Sequence, residues 1–186
     1  SRYQLIADRR AIIDRRALSE QLGGLPDKNL QTEAGKLLRA GLDAGRDEIA
    51  RRLTAEPGRG RVIAASYCFL ADQIVRVAYD LVTTRIQPRP ADTACRLSIV
   101  GLGGTGRGEM APFSDLDLMF LVPDRGSPWC EKAVEALLYV LWDLKLKVGQ
   151  SVRTPDQMIA AAKEDVTIRT ALLEARWMWG DEDLHD

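Results

Sequence analysis

The stretch GLGGTGRGEMAPFSDLDLMF, Gly101 to Phe120, carries two features that can do chemistry together. Four glycines, at 101, 103, 104 and 106, follow a short run rich in β-branched residues. Asp115 and Asp117 come next, at i and i+2, at the head of an otherwise apolar run. On a strand this spacing turns both carboxylates to one face and Leu116 and Leu118 to the other. Gly103 and Gly104 have no side chains, so backbone N–H groups can close on a triphosphate. A short helix beginning near Thr105 aims its positive end at the same place. Two neighbouring carboxylates can hold a pair of divalent cations, one on the phosphates and one lowering the pKa of an attacking hydroxyl. The chemistry expected is in-line nucleotidyl transfer, with Asp115 and Asp117 as metal ligands and Arg107 as a phosphate or transition-state contact. Ser114 has two readings, a phosphate contact or a hydroxyl that satisfies backbone at the strand entry.

Each half alone has a plainer reading: a tight turn with no ligand, or two solvated acids at a strand end. The other phosphate-binding designs fail on context. Gly101, Gly103 and Gly106 formally spell the dinucleotide fingerprint, but Pro112 arrives too soon for the crossover helix that fold requires. A Walker loop needs Gly-Lys-Ser/Thr, which the chain lacks. A calcium loop needs oxygen ligands after Asp117, where the residues are apolar.

The elements that must position these residues follow from periodicity. Between Tyr3 and Arg85 apolar residues recur at helical spacing in three sets, Leu5 to Leu18, Leu30 to Ile49 and Val62 to Leu81, separated by GGLPD and PGRG. Three helices are expected there. The prolines of QPRPAD, Gln87 to Asp92, end the helical regime, giving a helical segment over 1–90 and a second domain over 91–186. In the latter, RLSIVGLG and SDLDLMFLVP read as strands, Pro128 to Leu144 as an amphipathic helix, and Lys145 to Arg153 as a third strand. Thr154 and Pro155 open another helix. A last helix is expected over roughly Asp165 to Trp179, ending at Gly180. The fold class is α+β, with a small mixed sheet.

Composition sets the outer bounds. The 186 residues, 46% hydrophobic and 28% charged, can bury a core without disulfide staples. Lys and Arg number 26 against 27 Asp and Glu, so no global field draws in nucleic acid or an anionic membrane. Cys68, Cys95 and Cys130 are scattered and read as reduced cytoplasmic thiols. No stretch reads as 18 consecutive apolar residues and no signal peptide is evident, so a soluble cytoplasmic protein is expected. The one histidine, His185, leaves little room for histidine-based catalysis.

GGTGRGEMAPFSDLDLMF resembles the nucleotidyltransferase superfamily pattern of Gly-Gly, some ten residues, then Asp-x-Asp, as in DNA polymerase β. The run from there through LWDLKLKVGQSVRTPDQMIAAAKEDVTIRTALLEARWMWGDEDL is similar to the N-terminal part of the bacterial PII uridylyltransferase/uridylyl-removing family. The similarity covers about Leu97 to Leu184. It implies a polymerase β-like fold and transfer of UMP from UTP to a tyrosine of the PII nitrogen-signalling protein, with Mg2+ or Mn2+ as cofactor and glutamine setting the direction. By the same resemblance Asp115 and Asp117 hold metal, and Gly103, Gly104, Arg107 and Ser114 hold nucleotide.

The family has an aromatic where this chain has Thr105, and Gly-His-Ser where this chain has Gly149-Gln150-Ser151. The first departure is expected to change how the loop packs on nucleotide, and the second to remove a polar or metal-proximal contact. The superfamily's third carboxylate is absent from Lys145 to Arg153, leaving Asp165 and Glu174 as candidates, each with a structural role as its plainer reading. The family's enzyme also carries a phosphohydrolase domain and two glutamine-sensing ACT domains, so the chain looks like an N-terminal fragment with weak activity of its own. Two other readings stay open: another nucleotide or acceptor, and a nucleotide-binding regulatory domain without turnover.

Overall fold

The computed structural model describes residues 3–91, 95–123 and 127–181; Asp92, at the end of the proline-rich boundary, and His185 lie outside them. The chain opens with helices α1 (Arg9–Ile12) and α2 (Arg15–Gly23), then the long α3 (Leu30–Ala55) and α4 (Gly60–Leu81), which runs on through a π-helical turn at Val82–Ile86. The single helix expected over Leu5 to Leu18 is therefore two. Ile13 is extended, and the Asp14 carboxylate caps α2 by accepting the Ala17 N–H at 3.1 Å, so the cap restarts the helix where apolar spacing alone reads as continuous.

Strand β1 (Ser98–Gly101) leads into the five-residue helix α5 (Gly103–Arg107), which stops at Gly108 with φ 76°. Strand β2 (Leu116–Leu121), helix α6 (Pro128–Asp143) and strand β3 (Val148–Arg153) follow. Next come α7 (Pro155–Glu164), opened by a reciprocal Thr154–Gln157 capping box, then α8 (Val166–Leu173) and strand β4 (Arg176–Gly180). The four strands form one mixed sheet in the order β3-β2-β1-β4, with β1 antiparallel to both neighbours and β2 parallel to β3.

The helix expected over Asp165 to Trp179 stops short, and its last residues form β4. Helical spacing in LLEARWMWG is real, but the open edge of β1 offers ladder hydrogen bonds, and Trp177 and Trp179 alternate with the fully buried Met178 as a strand requires. This tertiary pairing overrides the local periodicity.

Helix α4 lies at the centre of the molecule. Its Leu70, Ile74 and Ala78 pack in one continuous core with Leu38 and Ile49 of α3, Ile99 of β1, Leu118 and Phe120 of β2, and Leu137 of α6. Within the helical stretch Gly60–Ile86 an 18-residue span has mean hydropathy 1.3, apolar enough by length and composition to cross a membrane, but 78% of that span is buried within the fold, as in a core helix. The opposite face of the sheet carries a smaller cluster, Val100, Met119 and Leu121, covered by Met158 of α7 and Leu172 of α8.

Candidate active site

The glycine turn and the acidic strand are joined backbone to backbone. The Leu102 N–H donates to the Asp117 carbonyl at 2.9 Å, and the Asp117 N–H donates to the Thr105 hydroxyl at 3.1 Å. Asp117 is thus held on both sides by the turn that precedes it. Its carboxylate lies in the space left by two glycines. Oδ2 lies 3.1 Å from where a Cβ on Gly103 would stand, and Oδ1 lies 2.9 Å from that point on Gly149, the cross-strand partner of Asp117. Gly103 also has φ +53°, a conformation side-chain-bearing residues rarely adopt.

Asp115 sits immediately before β2 rather than within it, and both acids are exposed. Partial burial, reinforced by the charge of Asp115, raises the Asp117 carboxyl pKa above its ordinary value. Two close, solvent-facing carboxylates beside a glycine cradle suit a hard divalent cation, with phosphate oxygens and water completing its coordination. Among the described residues no group of three or more His, Cys, Asp or Glu is arranged to hold a metal. Asp165 instead caps α8, accepting the Thr167 N–H at 2.7 Å.

Arg107, at the end of α5, pairs with Glu174 at 2.6 Å, the side chains being 52% and 35% exposed. A pair so exposed is worth about 0–1 kcal/mol, weak enough for an incoming phosphate to displace. Ser114 donates to the Ala111 carbonyl at 2.6 Å, closing the turn through Phe113, whose φ is 58°. To donate to a phosphate, its hydroxyl would exchange that bond. Gly104 is half-buried beside Gly103, and a Cβ there would stand 2.9 Å from the Glu109 carbonyl oxygen, so the turn itself leaves no room for a side chain.

The two sequence departures lie on different sides of the acidic strand's backbone contacts, Thr105 against Asp117 and Gln150 against Leu118. Thr105 is 1% exposed and faces inward, its methyl near Gly101 and its hydroxyl on Asp117. Gln150 is in register with Leu118, on the sheet face opposite Asp117, and lines a 540 Å³ groove against Val134 and Leu138 of α6. Gln150 therefore faces away from Asp117, whereas Thr105 meets Asp117 directly by accepting its backbone N–H. Reading the sequence also missed Gly149 as a wall of the carboxylate cradle. A glycine opening a strand that follows Asp-x-Asp was the available signal, but its meaning depends on the β2–β3 register.

The family model described as Glutamate-ammonia ligase adenylyltransferase (GlnE) matches residues 13–142. The chain is 49% identical over 181 residues to a bifunctional uridylyltransferase/uridylyl-removing enzyme of Erythrobacter litoralis, covering 95% of this chain and 20% of that protein. It is 48% identical over 185 residues to the protein of the same name from Novosphingobium aromaticivorans, covering 97% and 20%. Against the one from Azospirillum brasilense it is 46% identical over 186 residues, covering 96% and 20%. The chain therefore spans about a fifth of the length of these relatives.

Proposed function

The chain belongs to the glutamate-ammonia ligase adenylyltransferase family of nucleotidyltransferases, and from that premise we propose that it is the catalytic part of a cytoplasmic, metal-dependent enzyme moving UMP from UTP to a tyrosine of a PII signalling protein. The observation that carries this reading is the placement of the Asp117 carboxylate between Gly103 and Gly149, with Asp115 two residues away. The names of the relatives support uridylyl over other groups.

Asp115 and Asp117 would hold Mg2+ or Mn2+, which supplies charge for the phosphates and acidifies the attacking hydroxyl. The backbone of Gly103 and Gly104 closes on the β- and γ-phosphates, and Arg107 leaves Glu174 to meet charge developing on the transferred phosphoryl group. Ser114 adds a hydroxyl donor. The tyrosine oxygen forms a bond to the α-phosphorus as the bond to the β-phosphate oxygen breaks. Pyrophosphate leaves, and the phenolic proton passes to a site carboxylate or to water.

Incubating the chain with α-labelled UTP, Mg2+ and purified PII protein tests this. Label on a PII tyrosine, lost on chelation of the metal, is the expected result; no transfer by the wild type, under conditions where a longer relative labels PII, overturns it. A second reading, AMP transfer from ATP, is favoured by the description of the matching family. Labelled ATP in the same assay separates the two.

A further inference from the structure

We infer that Arg176 and Thr105 are positioning residues, linking a buried ion pair in the helical half to the backbone of Asp117. The inference rests on the reading of Asp117 as a metal ligand. Asp72, in the middle of α4, is fully buried, and Arg176, the first residue of β4, grips it with both terminal nitrogens: Nη1 to Oδ2 at 2.7 Å and Nη2 to Oδ1 at 2.8 Å. The Tyr3 phenol donates to the same carboxylate at 2.8 Å, and its ring lies beside the guanidinium. Arg176 Nη2 also donates to the Thr105 carbonyl at 2.9 Å. The hydroxyl of Thr105 in turn accepts the Asp117 N–H.

The chain of contacts therefore runs from α4 through β4 and α5 to the acid, in direct bonds at every step. A fork of this geometry is one only arginine can make, because a lysine ammonium cannot bind both carboxylate oxygens in plane and still reach a carbonyl on the far side. Thr105 adds the second requirement, an acceptor on its side chain and another on its backbone. Held this way, α5 is tied to β2 at Leu102 and Thr105 and to β4 at Arg176. The Gly103 backbone and the Asp117 carboxylate are kept at one separation, as a site that must fit a metal–triphosphate demands.

The test reads position separately from function. Amide hydrogen exchange at Asp117 is measured against the Val75 amide, in the core of α4, in the 186-residue chain and in T105S, T105V, R176K and R76K. Arg76 is a control, since it donates to the Met178 carbonyl in the same region without reaching Thr105. T105V and R176K should speed exchange at Asp117 about tenfold relative to Val75, the factor for one ordinary hydrogen bond, and T105S should restore the parent ratio. R76K should slow or speed both amides together. The Mn2+–UTP dissociation constant should rise about 10- to 100-fold in T105V and R176K but not in T105S or R76K, the usual cost of losing support behind a metal ligand. An unchanged Asp117-to-Val75 ratio in both T105V and R176K overturns the inference, as does equal weakening of nucleotide binding by R76K. If the parent binds no Mn2+–UTP, the functional reading fails, and the exchange ratios still decide the positioning.

Discussion

Asp117 and Gly149 face each other across the parallel β2–β3 pair, with Asp117 Oδ1 2.9 Å from the point a side chain on Gly149 would occupy. Alanine there must push the carboxylate aside. Since the displaced atoms are the free end of a flexible side chain, Gly149→Ala should change unfolding free energy by less than about 1 kcal/mol. It should nevertheless weaken Mg2+–UTP binding by about tenfold or more, as expected when a ligand is moved from its place. Calorimetry and urea unfolding on the same sample check both halves, and intact affinity would remove Asp117 from the metal site.

Asp117→Asn keeps the shape of the side chain while replacing a charged oxygen donor by a neutral amide. The fold should persist and metal-dependent nucleotide binding should vanish, because hard dications bind amides poorly. Calorimetric titration with Mg2+–UTP decides it; binding as tight as in the parent would return both acids to the role of solvated strand-end residues.

Arg107→Ala breaks an exposed pair with Glu174 and, on the proposed function, a contact with phosphate. Stability should move by less than about 1 kcal/mol, whereas UTP binding should weaken by about 1–3 kcal/mol, the worth of a hydrogen bond to a charged group. Arg16→Ala, on the exposed face of α2, serves as the reference. Equal effects of the two substitutions would leave Arg107 as an ordinary surface arginine.

Asp72→Ala tests the join between helices and sheet. It strands the Arg176 guanidinium without its carboxylate, and breaking a buried pair from one side costs about 3–5 kcal/mol. Chemical denaturation should show that loss in the transition of helical and tryptophan signals together, since α4 and the strands share one core. A loss confined to the tryptophan signal would mean that the sheet unfolds separately.

Asp80 gives a pH dependence. Burial raises its carboxyl pKa, and the Trp179 indole N–H at 2.7 Å offsets this only in part. A folded-state value above the unfolded one means the native state holds the proton longer, so its contribution to stability falls as pH rises from the ordinary carboxylate range through the raised value. Asp80→Asn removes that dependence. Relative to the parent, the variant should gain stability between pH 4 and pH 7, measured by urea unfolding at each; a relative loss on going to pH 7 would show that Arg15 and Arg76 outweigh the burial.

What the sequence determined by itself was local. The four glycines and the Asp-x-Asp spacing marked the turn, the short helix and the acidic strand, because a glycine turn and the period of a strand are properties of a few consecutive residues. Thr154 and Pro155 announced α7 in the same way, through a cap that needs only its own helix. The break at Ile13 was missed because Asp14 reads as a cap only once the backbone leaves the helix there. Tertiary structure alone decided that RWMWG is a strand, since the hydrogen bonds that make it one belong to β1, more than seventy residues earlier. It decided that Gln150 turns away from the acids while Gly149 makes room for one, because a register of one residue reverses the face. It also joined Asp72 to Arg176 and Thr105, residues that carry no mark in sequence. Charges so far apart along the chain meet only when the core that buries them has formed.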